Sequence, residues 1–170
     1  MLMKIIEITG KNYSGSYTKT RTASRAVIVK NDRILLTYEA NIDQYMIPGG
    51  GLEENETPAA CCIRETAEET GFLIEPASCV LEIDEYYQDN RFISYYFPAE
   101  IAGETEMHLT ENEKMTGAGP VWIPVPQAMK IFSDHASYEG INEEKRGLYY
   151  REYTALQNIE KDKSNDERNS

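Results

Sequence analysis

The sequence predicts an α/β (α+β) protein in which helices pack on the faces of a mixed β-sheet. Three observations lead there. Apolar runs rich in β-branched and aromatic residues recur along the chain between turn residues. At least two pairs of them read as hairpins, and helical stretches are interspersed with the strands rather than segregated from them. With 170 residues, 41% hydrophobic and 27% charged, the chain has the length of one domain and the apolar content of one core, so wholesale disorder is excluded.

Lys4 to Thr9 reads as a short strand. Arg25 to Tyr38 reads as a hairpin, with Ala26-Val27-Ile28-Val29 and Ile34-Leu35-Leu36 joined by turn residues Asn31-Asp32. The run Tyr45-Met46-Ile47 stops at Pro48-Gly49-Gly50-Gly51, where glycines permit a backbone path closed to side chains. A helix follows: Thr57 is a good N-cap, Pro58 suits the first helical position, and Gly71 is a natural stop. Phe72 to Ile83 and Arg91 to Ile101 read as strands with a turn at Asp89-Asn90. A short strand surrounds Val121-Trp122-Ile123, and Pro126 to Phe132 resembles a short helix. Glu143 to Ile159 has helical spacing, with Leu148, Tyr149, Tyr153, Leu156 and Ile159 as its apolar positions. Residues 1–159 then form a single domain, and the polar stretch 160–170 is expected to fray.

Seventeen Lys and Arg against 29 Asp and Glu leave a formal charge of −12. Such a surface repels phosphate backbones and anionic lipid, which argues against nucleic-acid or membrane partners. A small anionic substrate stays compatible if something supplies local positive charge, and a divalent cation held by carboxylates is the obvious supplier. The opening run is cut by Glu7 before it resembles a signal segment, and no stretch has the ~18 apolar residues of a membrane span. Cys61, Cys62 and Cys79 have neither disulfide nor zinc spacing and read as reduced, buried thiols in a cytoplasmic protein. His108 and His135 are isolated.

The helix after the glycines carries the chemistry. Glu65, Glu68 and Glu69 are spaced i, i+3 and i+4, within an arc of about 100°. Like charges this close repel unless a cation sits between them, and carboxylate oxygens suit Mg2+ or Mn2+ rather than zinc. Ile63 and Ala67, with Ala59 and Ala60, are expected to form the buried face, so that Ile63→Asp would unfold the protein. Thr66 is expected to bond a carbonyl one turn back, and Arg64 to brace a nearby glutamate.

The segment reads Gly50-x5-Glu56-x7-Arg64-Glu65-Thr66-x-Glu68-Glu69-x-Gly71-Phe72. It resembles the Nudix box of the Nudix hydrolase (MutT-like) family. Thr66 stands where the family prefers an aliphatic residue, and Asn55 replaces a common glycine but tolerates the left-handed turn. Pro48-Gly49-Gly50 before the box and Val121-Trp122-Ile123-Pro124 after it are also similar to the family pattern.

The resemblance implies an α/β/α sandwich with helices on both faces of the sheet. It implies a Mg2+-dependent pyrophosphohydrolase (Mn2+ as the alternative ion) in which water attacks phosphorus of a nucleoside diphosphate linked to another moiety. Carried over by position, Glu65, Glu68, Glu69 and the Gly49 carbonyl are metal ligands. Arg64 has a structural role, and Gly50 and Glu56 support the loop or Arg64. Glu65, Glu68, Glu111 and Glu113 remain open as the group that takes the proton from water. Arg25, Tyr87 and Arg91 are candidate substrate contacts, in competition with surface charge and strand packing. The alternative is a non-catalytic Nudix-like module that senses a nucleotide or binds a protein; retention of all three glutamates distinguishes the enzyme from it. The oligomeric state stays open, a homodimer included.

Overall fold

A computed structural model describes residues 2–169, with side chains from Leu2 to Lys161. Ten strands form in chain order: β1 (Lys4–Thr9), β2 (Lys19–Val27), β3 (Val29–Lys30), β4 (Arg33–Glu39), β5 (Gln44–Met46), β6 (Gly49–Gly51), β7 (Phe72–Pro76), β8 (Leu81–Tyr87), β9 (Asn90–Glu104) and β10 (Ala118–Pro124). The helices are α1 (Pro58–Thr70), α2 (Glu111–Thr116), α3 (Val125–Ser133) and α4 (Glu143–Asn169). The larger sheet has the order β1-β8-β9-β2-β6, with β7 on β9; β4 carries β10, β3 and β5 in a second sheet. β1 runs parallel to β8 and β2 parallel to β9, while the other pairs are antiparallel, so the sheet is mixed as expected.

Strand alternation divides the apolar residues between two cores. Val27, Ile34, Leu36 and Tyr96 point to one side, where they meet Phe132 of α3 and Tyr149, Leu156 and Ile159 of α4. Their neighbours Ala26, Ile28, Leu35 and Phe97 point to the other, where they meet Cys62 of α1 and Ile74 of β7. Each consecutive pair thus serves both cores, and helices cover both sides.

Local chemistry explains most element ends. Asn31 and Asp32 both have positive φ, 50° and 58°, the backbone of the tight turn that their side chains tolerate. Thr57 accepts a hydrogen bond from the Ala60 N–H at 3.2 Å, and Gly71 closes α1 in the left-handed conformation at φ 73°. Asn55 holds φ 62°, so the turn survives the replacement of glycine.

Several expectations are corrected. The stretch Phe72 to Ile83 is two strands, because residues 77–80 leave the sheet to let the second one run parallel to β1. β2 begins at Lys19, six residues earlier than its apolar part suggested, because its polar first half pairs with β9. Residues around Glu111, for which no element was expected, form a helix held by a reciprocal cap between Thr110 and Glu113. Helix α4 continues to Asn169; the side chains of 162–170, on which the expectation of a frayed tail falls, lie outside the described residues. No helix among the described residues is long and apolar enough to cross a membrane.

The expected faces of α1 are also wrong. Ile63 is 37% exposed and Ala60 is exposed, whereas Cys61, Cys62, Thr66, Glu69 and Thr70 are buried. Glu69 lies within about 20° of Cys62 around the helix axis, so the acidic arc overlaps the buried arc instead of opposing it. The Thr66 hydroxyl finds no hydrogen-bond partner; its backbone carbonyl instead accepts from the Thr70 hydroxyl at 2.6 Å.

Candidate active site

The N-terminal cap and the Gly71 stop place α1 across β2 and β6, with its glutamate side against the glycine strand. The three glutamates differ sharply in environment. Glu69 is 5% exposed, and its Oε2 accepts a hydrogen bond from the Gly49 N–H at 3.0 Å. Burial drives its pKa up to about 8, against the lowering pull of that bond and of Arg25. Glu65 is shifted upward too, by burial, although Arg64 opposes the shift. Glu68 is the most open, its side chain 39% exposed.

Arg64 organises the rim. Its Nε and Nη2 each lie 2.8 Å from a carboxylate oxygen of Glu56, a two-pronged contact that holds the Glu56 carboxyl down at about 2. Its Nη1 donates to Glu65 at 2.7 Å and Glu68 at 3.3 Å, and Nη2 also reaches the Gly51 carbonyl at 3.1 Å. One guanidinium therefore joins the helix entrance, two glutamates and the glycine strand. A lysine offers one point charge and no planar fork. Arg64→Lys is expected to keep the fold and lower turnover about 10–100-fold, the range for groups that orient metal ligands; circular dichroism with steady-state kinetics checks both halves.

Gly50 is fitted to Glu65. A Cβ there would lie 2.4 Å from the Glu65 carboxyl carbon, so the bare backbone makes the space that the carboxylate occupies. Because the group displaced is the end of a flexible side chain, Gly50→Ala is expected to preserve the melting temperature within a few degrees yet lower turnover roughly tenfold. Thermal unfolding and kinetics of the same preparation test this.

The donor set fits a hard divalent cation in kind, as oxygen ligands carried on one side of one helix. Glu65, Glu68 and Glu69 share one side of α1, and each keeps one carboxylate oxygen outside any hydrogen bond among the described residues. Their carboxylates are not converged: Glu65 and Glu68 turn toward Arg64, Glu69 turns toward Gly49, and no three His, Cys, Asp or Glu side chains among the described residues meet at one point. Glu69 is buried with one peptide N–H as its hydrogen-bond donor, so the protein compensates its charged form only weakly.

Two further carboxylates lie beside Glu69. A cavity of about 20 Å3 is lined by Thr37, Glu39, Met46, Glu69, Glu113 and Ala118, room for roughly one water. Glu39 is 8% exposed and held by the Thr116 hydroxyl at 2.7 Å and the Gln44 amide at 3.0 Å. Nothing in the local sequence of Glu39 marks it, since it ends an ordinary strand. Of the two acidic residues singled out in the 109–113 stretch, Glu113 reaches this cavity, while Glu111 pairs with Lys114 at 2.8 Å on the surface.

The three proposed substrate contacts are not gathered here. Arg25 is 7% exposed and points into the core beneath α4, where Nη1 donates to the Ile47 carbonyl at 3.1 Å; it is neither a surface charge nor open to a ligand. The Tyr87 ring fills the space beside Gly10, and burial pushes its hydroxyl up to about 12. Arg91 is bound to Asp84 and lies over the Tyr17 ring, at the opposite end of the β2–β9 ladder from the Arg25–Gly49 pair.

Comparison with known proteins agrees with this geometry. A family model described as the NUDIX domain matches residues 19–143. The human diphosphoinositol polyphosphate phosphohydrolase NUDT4B is 29% identical over 107 residues, which cover 62% of this chain and 58% of that protein. The mouse diphosphoinositol polyphosphate phosphohydrolase 3-alpha is 27% identical over 107 residues, covering 62% and 63%. The match thus spans less than two thirds of the length of these relatives. Among solved structures, a NUDIX hydrolase from Nitrosomonas europaea superposes with a TM-score of 0.55 at 18% identity, over 80% of this chain and 89% of that one. The E. coli ORF135 protein gives 0.51 at 20% identity, over 66% and 79%. At such identities these two speak for the fold alone, an α+β sheet flanked by helices. The family model, however, covers the glycine strand, all of α1 and every strand but β1, and on that ground the chain belongs to the Nudix hydrolase family.

Proposed function

We propose that the protein is a divalent-cation-dependent pyrophosphohydrolase that splits a phosphoanhydride bond by attack of water at phosphorus. The observation that carries this reading is the buried Glu69 beside Glu65 and Glu68, set against a strand of three glycines in a protein of charge −12. Glu65, Glu68, Glu69 and the Gly49 carbonyl would hold Mg2+ (or Mn2+). A divalent cation there supplies positive charge against the phosphoryl oxygens and acidifies water. Arg64 holds the Glu65 and Glu68 side chains, and Glu56 holds Arg64, so these carboxylates would turn from Arg64 to receive an ion while the rim stays anchored by Glu56. Glu113 is the best-placed proton acceptor: it lines the one-water cavity beside Glu69, and only one of its oxygens is taken, by the Thr110 N–H at 2.7 Å. The water oxygen bonds to phosphorus, the bridging P–O bond breaks, and the proton passes to Glu113. Glu113→Gln is expected to lower kcat about 10²–10⁴-fold while leaving Mn2+ affinity unchanged, read by kinetics and calorimetry.

The substrate class we favour is a nucleoside diphosphate linked to a second group, in a reducing, cytoplasmic setting that suits three free cysteines. The names of the curated relatives add diphosphorylated inositol phosphates as a second class to test. A screen for the cleavage products by ion-exchange chromatography decides, because a nucleoside diphosphate linked to X gives a nucleoside monophosphate and phosphorylated X rather than free phosphate: nucleoside triphosphates, nucleotide sugars, ADP-ribose, dinucleoside polyphosphates and diphosphoinositol polyphosphates, each with Mg2+ and with EDTA. Cation-dependent cleavage of at least one class is expected; no cleavage of any of them would overturn the proposal.

A further inference from the structure

We propose that helix α4, through Glu152, is part of the catalytic apparatus: together with Arg25 it clamps the backbone at Ile47 and so positions the adjoining Gly49. This rests on the pyrophosphohydrolase reading above. Glu152 is wholly buried, and its Oε2 accepts a hydrogen bond from the Ile47 N–H at 2.9 Å. The Ile47 carbonyl accepts from Arg25 Nη1 at 3.1 Å, and the Arg25 Nε lies 3.7 Å from Glu152 Oε1. Both polar groups of one peptide residue are therefore held by a single pair of opposite charges.

The clamp continues to the site without a break. Pro48 has no N–H, and its carbonyl accepts from the Ala26 N–H at 2.9 Å. Gly49 then donates to Glu69 at 3.0 Å. Gly49 has no slack: a Cβ would lie 2.0 Å from the Ser24 carbonyl oxygen. Every polar group from Ile47 N to Gly49 N is thus engaged, three by charged side chains and one by the sheet. Any shift at Ile47 passes through the stiff proline to the Gly49 peptide, whose two ends face Glu69 and the proposed ligand position.

Glu152 is itself tightly held. Tyr96 donates its hydroxyl to Oε1 at 3.1 Å, Arg151 Nε donates to the same oxygen at 2.9 Å, and Arg151 Nη1 lies 3.6 Å from Glu85. A buried cluster of this kind is poor value for stability alone, since apolar residues of equal volume commonly do as well. Two of its donors, Arg25 Nε and Arg151 Nη2, also lack hydrogen bonds. What the cluster does achieve is a defined position for a backbone segment, which apolar packing specifies less sharply.

The test uses the full chain and three variants. Leu156→Ala removes a core side chain one turn further along the same helix and no polar group of the clamp. Glu152→Ala removes both acceptors; Glu152→Gln keeps one carbonyl oxygen for the Ile47 N–H. For each, kcat, KM and the Mg2+ dependence are measured below the melting temperature, and Mn2+ binding is measured by calorimetry without substrate. Glu152→Ala is expected to lower kcat about 10–100-fold with KM changed less than threefold, and to weaken Mn2+ binding severalfold. Glu152→Gln should recover much of both, and Leu156→Ala should change neither despite its lower melting temperature. If Glu152→Ala does not fold, Glu152→Gln must still weaken Mn2+ binding relative to Leu156→Ala. An active wild type whose Glu152 variants keep its kcat and Mn2+ affinity, or lose them only in step with melting temperature as Leu156→Ala does, overturns the clamp alone. A wild type that neither binds Mn2+ nor cleaves any substrate of the screen overturns the underlying reading, and the clamp with it.

Discussion

Glu69→Gln is expected to lower turnover by about 10²–10³-fold and at the same time to raise the melting temperature of the metal-free protein. The two effects share one cause. Glu69 is 5% exposed and receives a single hydrogen bond, from Gly49. Its nearest cation, Arg25, is already engaged by the Ile47 carbonyl and Glu152. Without an ion, the folded protein therefore holds this carboxyl mostly protonated near neutral pH, and taking up that proton on folding costs stability. Glutamine has the same shape, its side-chain carbonyl can accept the same Gly49 bond, and it carries no charge to desolvate. A rise of about 2–4 °C, what ~1 kcal/mol is worth in a chain of this size, should appear in calorimetry with EDTA present. Glu68→Gln is the control: its side chain is 39% exposed, so activity should fall with no gain in melting temperature. A fully active Glu69→Gln, or one that melts earlier than the wild type in EDTA, would show that burial is not paid for by an ion. The pattern sought is that of a functional residue held at the expense of the fold.

The second large effect separates neighbouring positions on the same helix. Cys62→Asp should leave the protein largely unfolded at 25 °C, whereas Ile63→Asp should shift the melting temperature by no more than a few degrees. Cys62 is fully buried among Ala26, Ile28, Leu35, Ile74 and Phe97, and burial pushes its thiol up to about 12. A carboxylate there has no partner, and an unpaired buried charge costs ~3–5 kcal/mol or more against a total stability of ~5–15 kcal/mol. Ile63, 37% exposed, presents its side chain to water, where an aspartate is readily solvated. Far-ultraviolet circular dichroism and thermal melts of the two variants give the answer. An unfolded Ile63→Asp beside a folded Cys62→Asp would reverse the assigned faces of α1.

This contrast marks where reading the chain stops being enough. The start and stop of α1 are legible because capping is local: Thr57, Pro58 and Gly71 act on backbone groups within a few residues. The turn at Asn31-Asp32 and the tolerance of Asn55 are legible for the same reason. The faces of α1 are not, because amphipathic reasoning sends glutamates to solvent, and Glu69 is kept inside by a peptide N–H twenty positions away. A signal for α2 was present in Thr110 and Glu113, a threonine followed three residues later by a glutamate, but its short length and polar face hide it. Arg25 and Glu152 carry no local mark of burial, since only the approach of α4 to the Ile47 backbone makes an interior for them.

The sequence by itself determined the family, the order of most strands and helices, and the residue types available for gripping a hard cation. Those follow from spacing, capping and turn chemistry, which act over a few residues. Only the tertiary structure decided which glutamate lies in the interior, which acidic residue joins it at the water-sized cavity, and which arginines are spent inside the protein. The reason is that desolvation belongs to no residue alone: it depends on which distant backbone and side chains exclude water from it, and that is settled only when the sheets and helices close together.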